Sequence, residues 1–163
     1  MLILVSLIAA GCSPQPATPP APVTARGSSD EDHVHERENM MLADAGPYHA
    51  GLTAHLADDG NELDIFFETV DKEPKPVALS VKSFTATAKR AGDGQEFELT
   101  FEPAPAEERP KDEPDGLCSH FVAKAPWMKP DDVLTVTAEL TIRGKIHTVE
   151  WKDFSPKKYA HHD

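Results

Sequence analysis

Val133-Leu134-Thr135-Val136-Thr137-Ala138-Glu139-Leu140-Thr141-Ile142 alternates apolar and polar residues almost without a break. Arg143-Gly144-Lys145 then leads into Ile146-His147-Thr148-Val149-Glu150-Trp151. Period two predicts a half-buried strand, because successive side chains in a strand point to opposite faces. Leu134, Val136, Ala138, Leu140 and Ile142 form the inward row, with Thr135, Thr137, Glu139 and Thr141 opposite. The Arg-Gly-Lys break predicts a turn, so the two halves read as one hairpin.

Upstream, the same alternation recurs between turn signals. Residues 50–57 place Leu52, Ala54 and Leu56 on one face, and Asp58-Asp59-Gly60-Asn61 turns the chain. Residues 62–70 put Leu63, Ile65 and Phe67 inward against Asp64, Phe66 and Glu68. Pro74 and Pro76 break pairing, so residues 72–76 read as a loop. A strand over 77–89 slips phase between Val81 and Phe84, which calls for a bulge or a division in two. Gly92-Asp93-Gly94 turns into a strand over 96–102, whose Phe97, Leu99 and Phe101 face inward, with Phe97 and Phe101 expected to be buried. Residues 103–115 are a long, proline-rich acidic loop, residues 117–124 a further strand, and Trp127 a cap on the core. No stretch carries the period of a long amphipathic helix. The expected fold is all-β, an immunoglobulin-like antiparallel β-sandwich of about seven strands.

The N-terminal third is organised differently. Residues 1–11 are an uncharged apolar run closed by Ala9-Ala10-Gly11, too short to span a bilayer and placed as a secretory signal. With Cys12 it resembles a bacterial lipobox, which implies acylation of Cys12, palmitate-type chains and attachment to a membrane. Ser13 after the cysteine resembles the outer-membrane sorting pattern, so the expected location is the cell envelope, as an outer-membrane lipoprotein facing the periplasm. Residues 12–29 form a proline-rich tether, extended and polyproline-like. Residues 30–44 read as an acidic, histidine-containing linker, 45–154 as the sandwich domain and 155–163 as a C-terminal tail. The net charge is -12, which argues against nucleic acid and leaves cationic partners as the natural remainder. With Cys12 acylated, Cys118 has no intrachain disulfide partner.

Gly46-Pro47-Tyr48-His49, Glu62-Leu63-Asp64-Ile65, Lys75-Pro76-Val77, the run from Gly116 to Val122 and Gly144-Lys145 resemble a set of small bacterial lipoproteins common in planctomycetes. Their domain is similar to the N-terminal region of some periplasmic adaptors of heavy-metal efflux systems. The resemblance implies a fold and a leaning toward metals, with an efflux or envelope protein as partner.

The residues themselves offer two readings. His33 and His35, flanked by carboxylates, together with His49, Cys118, His120 and His147, are ligand types for zinc or copper. In a seven-strand alternation His49, Cys118, His120 and His147 fall near strand starts at one end, and Cys118 and His120, two apart, share a face. Against this, the charged segment reads as a solvated tail, the strand histidines as half-exposed residues and Cys118 as a small buried one. Without metal, the chain reads as a protein-binding or structural envelope module, with Phe66 as a contact on the outward face or packed under Met40-Met41. No nucleophile elbow, zinc-protease helix, phosphate loop or dinucleotide fingerprint is present, so no enzyme is expected.

Overall fold

A computed structural model describes residues 36–37, 39–58 and 60–161, and contains no α-helix among them. The strands are β1 (Glu36–Arg37), β2 (Met40–Ala45), β3 (Tyr48–His55), β4 (Glu62–Thr69), β5 (Phe84–Arg90), β6 (Glu96–Pro103), β7 (His120–Lys124), β8 (Leu134–Ile142), β9 (Lys145–Phe154) and β10 (Ala160–His161). They follow one path, β1-β2-β3-β4-β7-β6-β5-β8-β9, with β10 added on β3. Every pairing along the path is antiparallel, and the β10–β3 pairing is parallel. The chain is the antiparallel β-sandwich its alternation predicts, with two sheets over one core.

Two seams join the sheets. At the first, β6 runs beside β5 along most of its length and then pairs β7 through Glu102↔Val122 and Pro103↔Phe121. A strand that changes sheets in this way makes a corner of the sandwich. At the second seam β9 leans on β2 and β3 through side chains. Trp151 Nε1 donates to the carbonyl of Ala50 at 3.0 Å, and Arg143 donates to Tyr48 Oη at 2.6 Å. Gly46, at φ 67, turns β2 into β3 beneath the ring of His147.

The decisive hairpin forms as expected. Leu134, Val136, Ala138, Leu140 and Ile142 are buried, and the turn uses Arg143 and Gly144, both at positive φ. Paired positive φ values match the twist of a two-residue hairpin. Between the sheets Phe67 and Phe121 from one side meet Phe84 and Phe101 from the other, with ring centroids 5.1–6.4 Å apart. Burying each such ring stabilises by about 1.5–3 kcal/mol relative to exposure.

Four features differ from the sequence reading. β2 lies in the stretch read as a linker, so the sheet begins before residue 45. Residues 77–83 form no ladder, and β5 starts only at Phe84, which resolves the phase slip as a division. Phe97 is half-buried, because it lies under Trp127 at the margin, stacked at 3.8 Å and 5°. Tyr159 and Ala160, read as tail, are buried, and β10 occupies the flank of β3 beyond the start of β2. The signal, Cys12 and the tether lie outside the described residues.

Candidate functional site

The alternation of β4 that sends Leu63, Ile65 and Phe67 into the core sends Asp64, Phe66 and Glu68 to the outer face. Asp64 and Glu68 are nevertheless buried, at 4% and 5% exposure. Register makes Phe66 the neighbour of Gly51 on β3 and of His120 on β7. Its ring stacks on the imidazole at 4.1 Å and 19°. Gly51 contributes no side chain to this row, and a Cβ there would run into the side chain of Met40. The thioether of Met40 therefore lies flat over β3 and extends the apolar floor beside Phe66.

His120 links this floor to the wall above it. Its Nε2 is 2.9 Å from Asp64 Oδ1, and its Nδ1 is 3.3 Å from the carbonyl of Glu108. Both partners are acceptors, so a neutral ring donates to only one and a doubly protonated ring to both. The loop of residues 104–116 is fixed to the start of β7 at two further points. Ala104 N donates to the His120 carbonyl at 2.9 Å, and Ser119 N donates to Glu113 Oε1 at 2.7 Å. Glu113 also accepts from Arg109 at 3.3 Å, which holds that guanidinium against the loop.

The opposite wall is residues 74–79. Val77 N donates to the Phe67 carbonyl at 2.8 Å, and Thr69 exchanges hydrogen bonds with Lys75. Leu79 and Cys118 pair through both backbone groups. This segment wedges between the end of β4 and the approach to β7, so the sheet forks at Phe67.

A cleft of about 410 Å³ opens in the fork. Met40, Phe66, Phe67, Glu68, Ser119 and His120 floor it, and Pro74, Pro76 and the stretch from Glu107 to Pro110 form its sides. A second hollow of about 350 Å³ shares Pro76, Pro110 and Ser119 with the first and continues toward Asp112, Glu113 and Pro114. Proline fixes φ and removes a backbone donor, so these walls are preformed and recognise through side chains.

The candidate metal ligands do not gather. Cys118 faces the core at 3% exposure, donates through Sγ to the His120 carbonyl at 2.8 Å, and has its thiol pushed up by burial. His120 faces outward, so the two do not share a face as expected. The strand becomes regular only at His120, after the Leu79 pairing has set the phase of Cys118. His49 lies on the outer face of β3, with Nε2 3.5 Å from Asp44 Oδ1. His147 packs against Gly46 at the other seam. His33 and His35 lie outside the described residues. Among the described residues, no three or more His, Cys, Asp or Glu side chains come together as a metal ion requires.

His120 and Phe66 were visible in the sequence as candidates; Asp64, Glu68 and the proline walls were not. The available signal was the recurrence of closely spaced prolines in two acidic loops, which read only as breaks. No family model, curated protein or solved structure matches the chain.

Proposed function

We propose that this is an envelope lipoprotein, held to the membrane by acyl chains on Cys12, whose β-sandwich is a non-enzymatic binding module with the forked cleft as its site. One observation carries the reading. The cleft has a built floor and preformed walls, and the buried ring of His120 in its floor lies between the Asp64 carboxylate and the Glu108 carbonyl. A ring placed so ties the Glu108 wall to the floor, which supports a positioning role for it in a binding cleft. Pockets with an apolar floor and a few placed polar groups are the usual form of a ligand site.

The resemblance to planctomycete lipoproteins and to efflux adaptors supports the envelope location. The cleft supports a module that binds a partner, while a zinc- or copper-handling role connected with efflux would need ligands that the described residues do not bring together. Anchoring is tested by fractionating cells that express the chain or its Cys12→Ser variant. The variant should leave the membrane fraction and lose incorporated palmitate. Retention of the variant in membranes would defeat the lipoprotein reading.

A further inference from the structure

The joined clefts form a groove, and its chemistry indicates one class of occupant. Glu68 is at the floor, buried, while Glu107 and Glu108 stand exposed on the rim and Asp112 flanks the continuation. Of the groove's two cations, Arg109 is held by Glu113 and Lys75 lines the continuation, which leaves the carboxylates of Glu68, Glu107, Glu108 and Asp112 in excess. Beside the carboxylates, Phe66, Met40, Pro74 and Pro76 offer apolar surface. A long basic side chain matches both features, laying its methylene stem on apolar surface and its charged head among carboxylates. The shared lining of the two hollows makes the groove longer than one side chain, which suits an extended chain. Its proline walls lack the free backbone donors that strand addition would use.

We propose, building on the cleft as a binding site, that the groove between residues 74–78 and 107–114 binds an extended peptide segment carrying a Lys or Arg side chain, seated over the Phe66 floor between Glu68 and the Glu107–Glu108 rim. The net charge of -12 attracts such a segment at long range and repels acidic ones.

The test is calorimetric titration of the full-length protein in neutral detergent with octapeptides of Ala and Gly carrying two Arg, no charge or two Glu. The Arg peptide should bind at least about 10-fold more tightly than the neutral one, because charge-assisted hydrogen bonds are about twice as strong as neutral ones. Its affinity should fall with added salt. Glu107→Lys with Glu108→Lys, both on the exposed rim, should remove that preference, and Phe66→Ala should weaken binding of the Arg peptide. Equal binding of Arg and neutral peptides, with both lost in Phe66→Ala, would overturn the basic class and leave the cleft as a site. Peptide binding indifferent to Phe66→Ala and to the rim variants, or none in any arm, would overturn the groove as the site as well.

Discussion

The imidazole of His120 and the carboxylate of Asp64, 56 residues apart in sequence, meet at 2.9 Å with side chains only 8% and 5% exposed. The second carboxylate oxygen of Asp64 is buried and finds no hydrogen-bond partner among the described residues. Such a pair is costly to desolvate, so its role is to position. It orients the ring whose other nitrogen faces the Glu108 carbonyl, and Glu108 belongs to the cleft wall.

Breaking this pair from one side leaves a buried polar group uncompensated. His120→Ala should destabilise the domain by about 3–5 kcal/mol. The double replacement Asp64→Leu with His120→Phe should cost less than His120→Ala, since it removes both partners together. Urea unfolding of the three proteins checks this. A double variant less stable than His120→Ala would contradict it.

The His147 ring contacts the turn at Gly46. A Cβ on Gly46 would meet His147 Cε1 at 2.6 Å, and φ at 67 is unfavourable for other residues. Gly46→Ala should therefore lose about 1–2 kcal/mol from backbone strain, with a further loss from the contact. Adding His147→Ala should recover the contact part only. If His147 instead served a metal, thermal stability of the wild type would rise with zinc, and His147→Ala would abolish that rise.

Burial is the main cause of the raised thiol of Cys118. The folded state then holds this proton more tightly than the unfolded chain does. The group's contribution to stability is full below the unfolded value and is lost as pH rises through the folded one. In a Cys12→Ser background, Cys118 should react slowly with a thiol reagent at pH 8 and accelerate only with denaturant. Rapid labelling of the folded protein at pH 8 would place Cys118 at the surface.

Leu140 tests the core. It is 1% exposed on the inward face of β8, and Leu140→Ala should cost about 2–5 kcal/mol in chemical denaturation. A loss below about 1 kcal/mol would mean that the hairpin is not central to the core.

The legible part of the fold is where one face meets the core and the other meets solvent. β8 shows this, and its Thr and Glu residues alternate with buried aliphatics as the sequence predicts. β2 was not legible as a strand, because Met40 to Ala45 is covered on both faces for most of its length and carries no period. Asp64 and Glu68 lie on the outer face as their alternation predicts, but polarity alone does not reveal that loops from elsewhere in the chain cover that face. Cys118 and His120 do not follow strand period, because Cys118 pairs with Leu79 in an isolated bridge and the regular ladder starts only at His120. β10 has no local signal either, since its two residues gain their conformation from β3.

The cleft as the binding site is tested most directly by amide chemical-shift mapping of the protein titrated with the two-Arg octapeptide. The largest shifts should fall at Phe66, Glu68, Lys75, Val77, Glu107 to Arg109, Ser119 and His120, and should report one saturable site. Shifts centred on the threonine-rich outer face of the other sheet, around Thr85, Thr137 and Thr148, with the cleft amides unmoved, would contradict the account.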